Sequence, residues 1–145
     1  MTKMANRVLV CTVFFACASS CGEETTGRRT DSPQHAQELN LTPAERGRAL
    51  FRQCALCHTV KAESPSRIGP NLFGIYGREA GRADDFVYST ALRDSTIIWD
   101  DASLNAFLES PQDFLRGNRM AFAGVANPDD RADIIAYLST LTPQP

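Results

Sequence analysis

Beyond residue 21 the sequence has few cysteines and histidines, the side chains that form disulfides and structural zinc sites. Of its five cysteines only Cys54 and Cys57 lie beyond that point, and the two histidines are His35 and His58. A structural zinc site on the cysteine pair would need two more ligands, and the sequence has no further cysteine and only one histidine outside the motif. This scarcity disfavours zinc.

Alternating apolar patterns and internal repeats are also missing. No stretch alternates convincingly as a β-strand, and no segment repeats. A thioredoxin-like dithiol motif, another use of such a cysteine pair, needs a preceding strand in a βαβ unit, so it is disfavoured too. With 145 residues, 43% hydrophobic and 22% charged, the chain is predicted to be one small domain with accessory segments.

The first twenty residues are typical of an export signal. Lys3 and Arg7 form a positive segment, and the apolar run from Val8 to Ala18 is too short to span a bilayer as a permanent helix. We therefore predict a periplasmic protein whose residues 1 to 20 are removed.

Two cleavage sites remain open. Ala16-Cys17-Ala18 has the small-x-small form of an ordinary signal-peptidase site, which would release the protein into the periplasm. Ala18-Ser19-Ser20-Cys21 resembles a bacterial lipobox, in which Cys21 becomes the lipidated first residue. Lipidation would explain a cysteine that would otherwise be an unpaired thiol in an oxidising compartment.

Residues 21 to 40 are rich in Glu, Thr, Gln, Arg and Ser and are predicted to form a flexible tether. The folded domain is predicted to cover residues 41 to 145. It opens with a helix start signal, in which Thr42 is the cap, Pro43 takes the first helical position and Glu45 follows three residues after the cap.

The first helix is predicted to run into the cysteine motif, with Gly47, Leu50, Phe51 and Cys54 on its apolar stripe. A glycine inside a helix costs about 1 kcal/mol relative to alanine, so we interpret Gly47 as the point where another helix comes close. The partner is predicted at the end of the chain, in a helix that begins near Asn127.

A third helix is predicted from Asp100 or Asp101 to Glu109, with Pro111 closing it. Between the first helix and this one, glycines at positions 69, 74, 77 and 81 interrupt a long loop. Such a loop forms little regular structure but can wrap a flat cofactor.

The segment Cys54-Ala55-Leu56-Cys57-His58 has the spacing of a c-type haem attachment site. Two thiols three positions apart lie on one side of a helical turn, where they would add across the two haem vinyl groups. His58 would then be the proximal iron ligand. The predicted cofactor is one covalent haem c with its iron.

From about Leu41 to Leu141 the chain resembles the class I cytochromes c of the mitochondrial and bacterial c2-like branch. The matching pieces, in order, are Cys54–Val60, Gly69–Arg78, Ile98–Trp99, Met120–Gly124 and Ile135–Leu138. The resemblance implies an all-α cytochrome c fold, a small helical shell around one haem in which the N- and C-terminal helices cross. It also implies an electron-transfer protein, not an enzyme.

Met120 is the candidate for the sixth iron ligand. Met1 and Met4 leave with the signal, so Met120 is the only methionine of the exported chain. It lies in a loop between Gly117 and Gly124, where core packing is the weaker explanation. Ligation by histidine and methionine favours Fe(II) and raises the reduction potential relative to two histidines.

The resemblance also implies roles for four residues around the haem. The carbonyl of Pro70 would accept the proton on the second nitrogen of His58. Trp99 and Tyr88 would reach a haem propionate, and Arg78 would offset its charge.

Three positions depart from the family pattern. Phe107 stands where many relatives have a tyrosine that bonds the methionine sulfur, Leu92 replaces a common asparagine, and Asn118 replaces a usual threonine. These changes leave an alternative open, a haem protein with a labile Met120 that acts as a peroxidase or gas sensor. A dithiol oxidoreductase using Cys54 and Cys57 is the third function considered.

Surface charge also differs from that of mitochondrial relatives, which carry a ring of lysines around the haem edge. Loss of residues 1 to 20 leaves 13 of the 15 basic residues against 17 acidic ones, a net charge of −4. Steering to a strongly acidic partner should therefore be weak, and nucleic-acid binding is not indicated. We expect a monomer whose partners are redox proteins, either exported or in a membrane, with Cys21 as the candidate anchor beside them.

The anchor can be tested by Cys21→Ala. If a lipid on Cys21 keeps the protein beside its partner, this substitution should lower partner reduction in membranes while haem content stays the same. Unchanged partner reduction would contradict the anchor.

Overall fold

The computed structural model describes residues 40 to 142. The predicted export signal, Cys21 and nearly all of the tether lie outside these residues. Within them are five α-helices and one 3₁₀ helix. The α-helices are α1 (Pro43–Leu50), α2 (Thr90–Arg93), α3 (Asp101–Glu109), α4 (Pro111–Phe114) and α5 (Pro128–Ser139), and the 3₁₀ helix is Phe51–Leu56.

Helix α1 begins at the predicted cap. The Thr42 side chain accepts a hydrogen bond from the Glu45 N–H at 3.3 Å, and the Glu45 carboxylate accepts one from the Thr42 N–H at 2.8 Å. Because each residue satisfies an N–H group that the helix leaves unpaired, this reciprocal capping box defines where α1 starts.

Helices α1 and α5 cross with their backbones in contact at Gly47. A Cβ atom built at Gly47 would lie 1.8 Å from the carbonyl oxygen of Asp133 in α5. No side chain fits in that space, which confirms the interpretation of Gly47 from the sequence. Beside the crossing, Arg46 donates two hydrogen bonds of 2.7 Å to the nearly buried Asp133 carboxylate. The paired geometry is the one in which an arginine binds a carboxylate most strongly.

The hydrophobic core lies under this crossing. Helix α5 contributes Ile134, Ile135 and Leu138, all buried, and Phe51 packs on Tyr137 with ring centroids 5.3 Å apart. From the other side, Phe107 of α3 and Trp99 pack in an edge-to-face arrangement, with ring centroids 5.0 Å apart. These residues belong to one core, which joins the 3₁₀ helix, α3 and α5.

Some of the predicted elements need correction. The helix expected to run from Thr42 into the cysteine motif changes type at Phe51, where the tighter 3₁₀ geometry begins. Helix α3 is confirmed, with Asp100 as its cap, but Pro111 does not merely follow its end, because it also starts α4. Helices α2 and α4 were missed, since four residues are too few to show an apolar period.

The absence of strands was predicted correctly for residues 40 to 142, where the only β-type pairing is an isolated bridge between Glu79 and Ile98. None of the helices in this part of the chain has the length and apolarity of a membrane-spanning segment.

The backbone contact of α1 with α5 predicts a large effect of Gly47→Ala. The added methyl group would force the helices apart, so we expect the free energy of unfolding to fall by roughly 3 kcal/mol. Denaturant unfolding of the haem-loaded protein measures this. Arg48→Ala, at the next and exposed position of α1, serves as the control and should change stability by no more than about 0.5 kcal/mol. Equal effects of the two substitutions would contradict the packing argument.

Candidate haem site

The two cysteines lie on and beside the 3₁₀ helix. Residues three apart eclipse in a 3₁₀ helix, so Cys54 projects along the same edge as the buried Phe51. The N–H groups of Cys57 and His58 both donate to the carbonyl oxygen of Cys54, each at 3.0 Å. This tight turn holds Cys54, Cys57 and His58 together as one unit.

The thiols are free and half-buried. Burial raises the pKa of Cys54, which keeps this sulfur protonated at neutral pH. A redox-active dithiol needs the opposite, a cysteine whose pKa is lowered so that thiolate is available. The burial of the Cys54 thiol thus disfavours a dithiol oxidoreductase.

The His58 ring is oriented by a backbone carbonyl. Its Nδ1 lies 2.8 Å from the carbonyl oxygen of Pro70. With the proton on Nδ1, that nitrogen donates to Pro70 and Nε2 keeps its lone pair for a metal. Burial lowers the pKa of His58, against a smaller opposing effect of the Pro70 bond, so the imidazole stays neutral. A neutral, oriented imidazole is the form that binds iron.

Asn71 holds the loop that presents Pro70. Its side-chain NH₂ donates to the carbonyls of Lys61 and Ser64 at 2.9 and 2.7 Å, and its side-chain oxygen accepts from the Phe73 N–H at 2.8 Å. Asn71 was not predicted from the sequence to be a site residue. Its place after Gly69-Pro70 was the available signal, because asparagine side chains commonly bond nearby backbone in turns.

Met120 is half-buried and packs against the same core as Cys54. Its backbone N–H donates to the Asn118 side-chain oxygen at 2.9 Å, and its carbonyl accepts from the Gln112 side chain, also at 2.9 Å. The structure thus brings Met120 and the cysteine motif to one core, with Met120 held by side chains and not by a helix.

Arg78 carries an unsatisfied buried donor. Its two terminal nitrogens donate to the carbonyls of Phe73 and Asn71, both at 3.3 Å. Its Nε is buried and is the only such side-chain atom among the described residues that has no hydrogen-bond partner. An anionic oxygen would satisfy this N–H, which fits a cofactor that carries carboxylates.

Tyr88 and Trp99 lie in the same region as Arg78. The backbone N–H of Trp99 donates to the Arg78 carbonyl at 2.9 Å, and the Trp99 side chain is buried. Burial raises the pKa of Tyr88, although the positive charge of Arg78 acts in the other direction. The phenol therefore keeps its proton and can donate a hydrogen bond.

The described residues fit haem c. Two thiols with the attachment spacing, a neutral imidazole and an unpaired guanidinium N–H match its vinyl groups, iron and propionates. Between residues 40 and 142 we find no cluster of three or more His, Cys, Asp or Glu side chains that could hold a metal ion.

Comparison with known proteins agrees with this site. The family model described as cytochrome c matches residues 44–142. Cytochrome c of Euglena viridis is 46% identical over 99 residues, which cover 68% of this chain and 96% of the relative. A cytochrome c homolog of Rickettsia felis is 36% identical over 126 residues, covering 86% of this chain and 72% of the relative.

A solved structure resembles the fold as well. Cytochrome cH from Methylobacterium extorquens superposes with a TM-score of 0.64 at 38% identity, covering 67% of this chain and 97% of that one. The all-α fold with crossing terminal helices is confirmed. The chain belongs to the cytochrome c family, as an electron carrier and not an enzyme, with haem c attached covalently through Cys54 and Cys57.

Proposed function

We propose that this protein is a single-electron carrier of the mitochondrial and bacterial c2-like branch, with His58 and Met120 as the axial ligands of its haem iron. The observation that carries the proposal is the 2.8 Å contact of His58 Nδ1 with the Pro70 carbonyl, since it leaves Nε2 as the free nitrogen. The bound haem supplies an iron that alternates between Fe(II) and Fe(III). The residues of the site would hold the haem and its iron in place.

The His58 ring packs directly against Gly69. A Cβ atom at Gly69 would lie 2.4 Å from His58 Cε1 and 2.7 Å from Nδ1, so the ring rests directly on the glycine backbone. The Gly69 N–H donates to the Cys57 carbonyl at 3.0 Å, which ties this backbone to the attachment motif. The imidazole is therefore fixed on one side by backbone and at Nδ1 by Pro70.

On the other side, Met120 would supply a soft thioether that favours Fe(II) and raises the potential. Arg78 Nε, Tyr88 and Trp99 would hold the propionates, with Arg78 offsetting part of their charge in a half-buried setting. The sulfur has no hydroxyl donor from position 107, because that residue is a phenylalanine. The Phe107 ring is buried and packs between Trp99 and Phe114.

That missing hydroxyl, together with the departures at Leu92 and Asn118, favours the alternative of a labile Met120 in a peroxidase or gas sensor. Membership in a family of electron carriers argues against it.

The surface beside Cys57 supports docking to a redox partner through apolar contact. Leu56 precedes Cys57 and is 71% exposed, and Ile68, 77% exposed, precedes Gly69, whose N–H donates to the Cys57 carbonyl. Exposed apolar side chains that form one patch commonly mark an interaction surface, and these two flank the backbone bond between Gly69 and Cys57. The partners would be exported or membrane-bound redox proteins, and the protein would act as a monomer.

The proposed organisation places this domain, residues 41 to 145, behind an export signal of residues 1 to 20 and a tether of residues 21 to 40. A lipid on Cys21 would keep the domain at a membrane facing the periplasm. Held there, the protein would meet membrane-bound partners at a high effective concentration, which offsets its weak electrostatic steering.

The proximal arrangement predicts the outcome of Gly69→Ala. The new methyl group would displace the His58 ring, so we expect haem to remain attached while the ferric spectrum shifts from low-spin toward high-spin. Gly77→Ala is the matched control, because a Cβ there has no atom within 4 Å. It should cost stability through its positive φ and leave the spin state unchanged. A low-spin spectrum in Gly69→Ala would contradict the argument that close contact with Gly69 positions the His58 ring.

The distal ligand predicts two spectra of the haem-loaded protein. The ferric form should show the weak far-red band of iron bound to a methionine sulfur, and the ferrous form should be unaffected by CO. Met120→Ala should lose the band and bind CO readily, because the sixth position is then open. If the unsubstituted protein lacks the band and takes up CO as fast as Met120→Ala, methionine ligation is wrong and the sensor or peroxidase alternative gains support.

A further inference from the structure

Asn118 is a buried amide whose hydrogen-bonding groups are all used. Only 6% of the residue is exposed, and it lies two positions before Met120. Its side-chain NH₂ donates to the carbonyls of Pro111 and Leu115 at 2.6 and 2.8 Å. Its side-chain oxygen accepts from the Met120 N–H at 2.9 Å. One side chain therefore joins Met120 to helix α4.

The anchor at the other end of these bonds is rigid. Pro111 begins α4 and is among the largest side chains that are fully buried, while Leu115 follows the last residue of the helix. The Asn118 side chain is thus hydrogen-bonded to the first residue of α4 and to the residue that follows its last one. The chain reaches this position through Gly117, whose φ of 88° makes the turn.

Gln112 completes the arrangement from within α4. Its side-chain NH₂ donates to the Met120 carbonyl at 2.9 Å and to the Asn118 side-chain oxygen at 3.3 Å. The Met120 N–H is therefore bound by the Asn118 amide, and the Met120 carbonyl by the Gln112 amide together with the Phe122 N–H at 3.0 Å. Gln112 belongs to α4, and Asn118 is hydrogen-bonded to it.

We propose that Asn118 and Gln112 form an amide clamp that positions Met120 on the iron. The inference rests on the proposed ligation by Met120. The clamp holds the backbone of the ligand, whereas a hydroxyl at position 107 would hold its sulfur, so it supplies by another route the restraint that Phe107 lacks. Both amides are positioning residues and do not touch the iron.

The clamp can be opened with almost no change in shape. Asn118→Asp keeps the acceptor for the Met120 N–H but turns an oxygen toward the carbonyls of Pro111 and Leu115, where a donor is required. Gln112→Glu removes one of the two donors to the Met120 carbonyl and leaves the other, the Phe122 N–H at 3.0 Å. Because Gln112 is exposed, this second variant should fold and bind haem even if Asn118→Asp does not.

The measurement is the rate at which CO binds the ferrous, haem-loaded full chain, well below the unfolding temperature, together with the ferric far-red band. We expect Asn118→Asp to bind CO roughly tenfold faster than the unsubstituted protein and to have a weaker band, since a buried amide bond accounts for about that factor. Gln112→Glu should change both in the same direction by a smaller factor, because Gln112 is exposed and the Met120 carbonyl keeps the Phe122 N–H. Asn127→Asp is the control. It adds the same charge at the exposed cap of α5, where aspartate caps as well as asparagine, and should change the rate less than about twofold.

The outcomes separate the two proposals. If the unsubstituted protein already binds CO as fast as Met120→Ala, the ligation by Met120 fails, and the clamp fails with it. If it resists CO, and the amide variants that bind haem resist CO equally while only their thermal stability falls, the ligation stands and the clamp is overturned. Faster CO binding in the amide variants but not in Asn127→Asp supports the clamp.

Discussion

The backbone contact of α1 with α5 at Gly47 is the constraint on which both sides of the haem site depend. On one side, α1 passes through the buried Phe51 into the 3₁₀ helix that carries Cys54. On the other, Arg131 of α5 donates to the carbonyls of Val125 and Ala126 at 2.8 and 2.9 Å. These two residues directly follow the loop that carries Met120. One crossing of two helices thereby sets the attachment motif and the methionine loop on a common frame.

In the loops, side-chain amides pair the backbone polar groups that a helix would pair within itself. A flat cofactor needs walls of irregular chain, and irregular chain leaves backbone N–H and C=O groups that must still be paired when they are buried. Asn71 pairs them behind Pro70, and Asn118 with Gln112 pairs them around Met120. The loops keep defined positions because each amide offers donors and an acceptor on one short side chain.

The electrical character of the site follows from burial. Burial keeps the His58 imidazole neutral and the Cys54 and Tyr88 groups protonated, because low-dielectric surroundings penalise their charged forms. Arg78 is the charge that remains, with a buried N–H unpaired among the described residues. Such an interior suits a cofactor that brings its own two carboxylates and an iron whose charge changes by one.

Short-range patterns in the sequence determined the attachment motif, the capped starts of α1 and α5, the helix from Asp101 to Glu109 and the close approach at Gly47, because each depends on neighbouring residues or on one helical period. The switch to a 3₁₀ helix at Phe51, the short helices α2 and α4, and the partners of Asn71, Gln112 and Asn118 were decided only by the tertiary structure. A four-residue helix has no period to detect, and an amide has no preferred partner until folding brings a particular carbonyl within reach.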